Sequence, residues 1–197
     1  MNYYVVIIPN EVAICLEPSL SDLNTNRYNS LLKDGHNVNP VDVPSHKSYF
    51  NQGAILDVTE GYKYAPYVNA RTMAIFKKHL KEDAQFLKVG KIKTEDYFLF
   101  NVTKSIHCMD MVLSRYTKFS TGKLSEPSSI ALVKRSVPED CLLFRMAEYP
   151  KLLIASEQFT EIIKENRITG IGFTVLDFLL SNYIEGDAIP GLPITNQ

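Results

Sequence analysis

The chain has 197 residues, of which 45% are apolar and 22% charged, and its net charge is −1 at neutral pH. That length and balance suit one large or two small folded domains with a sizeable core, and argue against a largely disordered chain. The near-zero charge gives no global field towards nucleic acid or an acidic membrane, and three widely spaced cysteines (Cys15, Cys108, Cys141) argue against a disulfide framework or a cysteine-based zinc site.

Tyr3 to Ile8 reads as a buried strand turned by Pro9-Asn10, with Val12 to Leu16 as its expected partner. Glu17 to Gly53 is a long polar stretch in which only Tyr28 to Leu32 suggests local order; such a run is a surface excursion or a functional, mobile loop. Ala54 to Val58 is a short strand. Tyr62, Tyr64 and Tyr67 then surround a proline, either as an interface patch or as a loop pinned on the core. Asn69 is a candidate cap for a helix over 69–80, whose apolar side is Met73, Ile75, Phe76 and Leu80. Strands are expected at Phe86 to Ile92, Tyr97 to Val102, Met109 to Leu113 and Ile130 to Val133.

The C-terminal part is the most legible. Leu142 to Met146 and Leu152 to Ile154 are short apolar runs separated by Glu148-Tyr149-Pro150. Ser156 reads as a helix N-cap followed by Glu157, suited to the positive end of the helix dipole. Phe159, Ile162 and Ile163 make one apolar face, and Asn166 is a candidate left-handed stop. Gly170 and Gly172 mark a turn and a close backbone approach before a strand from Ile171 to Leu176; Phe178 to Leu180 extends a strand or a helical turn, and the tail from Gly186 reads as irregular. Many short strands, two helices and no regular βαβ alternation predict an α+β fold, with a mainly antiparallel curved sheet and one or two packed helices. A single domain over 1–197 is expected, with residues 1–66 as a candidate N-terminal subdomain and 95–178 as the most recognisable part.

No catalytic constellation emerges. None of the four histidines has a ligand partner at helical spacing, so no metal or other cofactor is implied. His107, Cys108 and Asp110 are close in sequence, but an extended backbone puts Cys108 and Asp110 on one face and His107 on the other, which favours a buried structural cysteine. Gly170-Ile171-Gly172 lacks the third glycine of a dinucleotide loop. Basic side chains concentrate in the middle of the chain, 15 against 9 acidic over residues 67–154, and read first as a solvated face. Asp177, Glu185 and Asp187 form a solvated acidic end. There is no secretory signal and no run of the ~20 apolar residues a membrane span requires, so a cytoplasmic location is expected.

Phe144-Arg145, Ile154-Ala-Ser-Glu-Gln-Phe159 and Ile168-Thr-Gly-Ile-Gly-Phe173 resemble the C-terminal signature of a bacterial immunity-protein family encoded beside polymorphic toxins. Tyr97 to Val102, ending in Asn-Val, and Asp110 with Ser114 four residues on are similar to its other recurrent segment. The resemblance spans about residues 95–178. It implies a non-enzymatic protein of interbacterial competition that neutralises the C-terminal domain of a cognate toxin in a stoichiometric complex. A nuclease toxin, with its basic substrate groove, would favour the acidic residues Asp177, Glu185 and Asp187; Tyr62, Tyr64 and Tyr67 are the other expected partner contacts. The alternatives are a small hydrolase or transferase whose site assembles from distant residues such as His107 and Asp110, and a regulatory module that binds an endogenous protein. Asp110 and Ser114 themselves read first as turn-forming residues that bond nearby backbone.

Overall fold

The computed structural model describes residues 2–8, 15–18, 32, 35–44, 46–49, 54–61, 65–125 and 127–176. In chain order the elements are β1 (Tyr3–Ile7), β2 (Cys15–Pro18), β3 (His46–Tyr49), β4 (Val58–Thr59), β5 (Tyr67–Asn69), α1 (Ala70–Leu80), β6 (Ala84–Ile92), β7 (Glu95–Val102) and β8 (Ser105–Ile106). They continue with β9 (Leu143–Met146), β10 (Leu153–Ser156), α2 (Glu157–Glu165) and β11 (Gly172–Val175). The strands form a five-stranded sheet β11-β1-β10-β9-β8, a four-stranded sheet β4-β5-β7-β6 and a two-stranded ribbon β2-β3. All pairings are antiparallel except β8 with β9. The fold is α+β, as expected.

Side-chain alternation explains how the sheets stack. Along β7, Phe98, Phe100 and Val102 join one core, while Tyr97 and Leu99 join another on the opposite face. Leu153 and Ala155 of β10 likewise face the first core and Ile154 a third. Strands buried on both faces have near-continuous apolar sequence, which is why these runs stand out. The first core lies between the two larger sheets and takes in both helices through Phe76, Leu80, Phe159 and Ile163. Phe86, Phe100, Phe76, Phe159 and Phe173 run through it in succession, with ring centroids 5.0–6.3 Å apart. Each such pair contributes about 0.5–1.5 kcal/mol beyond its buried area.

Both helices start where local chemistry places them. The Asn69 side chain accepts from the Thr72 amide at 2.9 Å, and Ser156 Oγ from the Phe159 amide at 3.4 Å. The end of α2 differs from expectation. Asn166 keeps a right-handed backbone (φ −88°), its side chain donating to the Ile162 carbonyl at 2.9 Å, and the left-handed residue is Arg167.

Three strand expectations are also corrected. The partners of β1 are β10 and β11, and β2 pairs instead with β3; an early strand meets late ones because the core face it shares is built from the far end of the chain. Met109 to Leu113 is a single bridge at Met109 followed by a turn over Met111–Leu113. Ile130 to Val133 contributes one bridge, Leu132 to Met109, rather than a strand. Of the ordered stretch expected at Tyr28 to Leu32, Tyr28 to Leu31 lie outside the described residues, as do Phe178 to Leu180 and the tail from Gly186.

Candidate partner-binding surface

The quoted motifs build scaffold first. Arg145, fully buried on β9, donates from Nε to the Val102 carbonyl at 2.7 Å and from a terminal nitrogen to the Pro150 carbonyl at 2.8 Å. Its other terminal nitrogen donates to Asn101 Oδ1 at 3.4 Å, and Asn101 Nδ2 donates to the His36 carbonyl at 2.8 Å. The Asn-Val ending of β7 and the Phe-Arg of β9 are thus joined through one guanidinium, whose charge is tolerable inside because its donors are taken up.

Thr169 and Gly170 bind a second junction, with Asp57. Asp57 Oδ2 accepts from the Thr169 amide and hydroxyl, both at 2.9 Å, while Oδ1 accepts from Asn69 Nδ2 at 2.8 Å and from Arg71 at 3.4 Å. One carboxylate therefore ties the turn after α2 to the start of α1. Gly170 has a left-handed φ of +82°, and a Cβ built there would lie 1.8 Å from the Val58 carbonyl oxygen. The close backbone approach falls here.

Asp110 and Ser114 shape what is displayed. Between Met109 and Leu132 the chain runs out and back as an irregular arm, stitched by antiparallel bridges Met109–Leu132, Arg115–Ser129 and Lys118–Leu124. Its base is buried: Met109 and Ile130 sit in the third core, with Leu132, Leu124 and Tyr116 packed against it. Asp110 Oδ1 accepts from the amides of Val112 at 2.9 Å and Leu113 at 3.0 Å, and the Asp110 carbonyl accepts from the Ser114 amide at 2.9 Å. Ser114 Oγ accepts from the Ala131 amide at 3.0 Å and donates to its carbonyl at 3.3 Å, pinning the turn to the returning limb of the arm. The turn pushes its apolar side chains outward: Val112 is 90% exposed, Leu113 70% and Met111 39%, while Phe119 at the arm's end is 58% exposed. The expected turn-forming roles of Asp110 and Ser114 are found, in a segment expected to be a strand.

The thiols near this surface are structural in character. Cys108 and Cys141 are buried and free, and burial pushes them up to about 12 and about 11 respectively, so both stay protonated. His107 is exposed and pairs with Glu148 at 3.3 Å, whose second oxygen accepts from the Cys108 amide at 3.4 Å. His107 and Asp110 thus have separate local tasks. Among the described residues no group of three or more His, Cys, Asp or Glu is placed to hold a metal, and no helix is long and apolar enough to cross a membrane.

Of the residues expected at an interface, Tyr62, Tyr64, Asp177, Glu185 and Asp187 lie outside the described residues. Tyr67 is fully buried on β5. Its hydroxyl lies 2.9 Å from His46 Nε2, with the two rings edge-on, and a side chain so placed offers nothing to a partner. The exposed shoulder Met111 to Leu113 went unrecognised because three apolar residues in a row read as a buried strand. The signal for it was local: Asp110, able to bind the next amides itself.

A search of curated proteins finds no match to the chain. Residues 84–177, from the start of β6 to just past β11 and including the whole arm, match the Immunity protein family (Imm11), which agrees with the family resemblance of the motifs in this same part of the chain.

Proposed function

We propose that this chain is an immunity protein that binds a cognate toxin's C-terminal domain and neutralises it as a stoichiometric complex in the cytoplasm of the cell that makes it. The family match over residues 84–177 carries this reading. The matched segment also contains an arm whose exposed apolar shoulder is held firmly in place, a feature of binding rather than of catalysis. A nuclease is the toxin activity that the acidic residues Asp177, Glu185 and Asp187 would suit, since a nucleic-acid groove is basic.

Co-expression with the toxin domain encoded immediately upstream tests the reading, scored by survival and co-purification. Rescue with a one-to-one complex supports it. A toxin that still kills, with no complex recovered, refutes it. Assaying the same toxin on DNA and RNA, with and without this protein, tests the nuclease case.

A further inference from the structure

We propose that the arm from Met109 to Leu132 is the element that grips the toxin, its Met111-Val112-Leu113 shoulder seated in an apolar pocket that carboxylates rim. This rests on the reading of the chain as a toxin-binding immunity protein, and supplies the surface and the partner chemistry.

Three consecutive exposed apolar residues are costly in water, and soluble chains avoid them unless something covers them. Here the exposure is held in place. The Asp110 carboxylate fixes the amides of Val112 and Leu113, and Ser114 fastens the turn to Ala131. A shoulder already held in one shape loses little entropy when a pocket closes over it, which favours a shape-specific protein partner.

Charge specifies the rest. Residues 103–137 contain Lys104, Arg115, Lys118, Lys123, Lys134 and Arg135 against only Asp110 and Glu126. The Asp110 carboxylate is already engaged by the turn. Among the described residues, Arg115, Lys118, Lys123, Lys134 and Arg135 are all exposed and none is in an ion pair. Lys118 lies over the Tyr116 ring at 5.7 Å. An apolar shoulder on a segment rich in exposed cations is complemented by an apolar pocket with an acidic rim, so on a nuclease toxin the arm would seat on a face away from the basic nucleic-acid groove. An anionic membrane shares the charge preference, but one short shoulder has too little apolar area for stable anchoring.

The test measures binding of the upstream-encoded toxin domain, inactivated at its catalytic centre, to the full chain and two double variants. Val112→Asp with Leu113→Asp is expected to weaken binding about 30-fold or more, mostly through faster dissociation. Lys118→Glu with Lys123→Glu is expected to slow association about tenfold at low salt, the difference fading as salt rises. Unfolding midpoints check that both variants fold, and Val112→Ser with Leu113→Ser stands in should the aspartates disturb the turn. Parent-like affinity in the folded shoulder variants overturns the proposal, as does faster association after charge reversal. Loss of parent dimerisation, or of parent binding to equal-part phosphatidylcholine and phosphatidylserine vesicles, with toxin affinity intact, also overturns it, in favour of a second copy or a lipid surface. A parent chain that fails to bind the toxin removes the functional reading and the arm's role with it; a parent that binds while the variants bind equally well removes only the arm's role.

Discussion

Gly170→Ala is a direct trial of the junction beneath the Ile168–Phe173 motif. Holding alanine at the left-handed φ of +82° costs roughly 1–2 kcal/mol, partly offset by the lower entropy of its unfolded chain. The new Cβ would sit 1.8 Å from the Val58 carbonyl oxygen and 2.9 Å from Leu56 Cβ, so the backbone must retreat by about 1 Å or more. That movement pulls on the Val58 amide, which donates to the Thr169 carbonyl at 3.0 Å, and on the Thr169 bonds to Asp57. Losing one neutral and one charged hydrogen bond adds about 2–4 kcal/mol, for a total near 3–5. Gly122 supplies the control: its φ is +78°, yet nothing lies within 4 Å of a Cβ there, so Gly122→Ala incurs only the conformational cost of about 1 kcal/mol. With a urea slope of about 2 kcal/mol/M, the midpoint falls by roughly 2 M for the first variant and about 0.5 M for the second. Equal shifts in the two would refute the claim that packing against Val58, rather than handedness, makes Gly170 indispensable.

Asp57→Ala removes the carboxylate joining α1 to the turn after α2 and lowers stability by about 2–3 kcal/mol in urea titration, whereas Arg71→Ala, at the half-exposed end of the same network, costs no more than about 1. His46 is held below its ordinary pKa, chiefly by burial, so protonation is easier in the unfolded chain. Stability is therefore fully present above the ordinary histidine range near pH 6.5 and declines as pH falls from there towards the lowered folded value, a decline that is smaller in His46→Gln. Cys108 and Cys141, protonated and buried, resist alkylation at pH 7.5 in the native protein and react once urea unfolds it, as peptide mapping would show; rapid native labelling of either would contradict the described core.

Legibility in the sequence followed the range of the determining interaction. The Ser156 cap and the apolar face of α2 act within a few residues, and the helix appears over the expected span. The strand β7 is legible in its consecutive large apolar side chains, Tyr97 to Phe100. Pairings were harder, because nothing near Cys15 announces that its strand meets His46 to Tyr49 rather than Tyr3 to Ile7. The Asp57 junction was invisible for the same reason: its Thr169 partner is 112 residues away. Met109 to Leu113 failed differently. Its composition says strand, but the Asp110 side chain captures the amides a strand would need, and the arm's exposed shoulder follows from that competition.

The position of β1 has a consequence for synthesis. Tyr3 pairs with Ser156 and Tyr4 with Val175, so this strand lies between two made much later, across more than 150 residues of intervening chain. At about 5–20 residues per second, the N-terminal strand waits roughly 8–30 seconds before either neighbour exists. Closing such a loop before its contacts form makes for slow, high-contact-order folding, with an apolar segment available to wrong partners meanwhile. The family-matched segment alone lacks this strand from the interior of its sheet, so β10 and β11 would be left without the neighbour that lies between them. The complete five-stranded sheet therefore forms late in the life of each molecule, only after Val175 has been made.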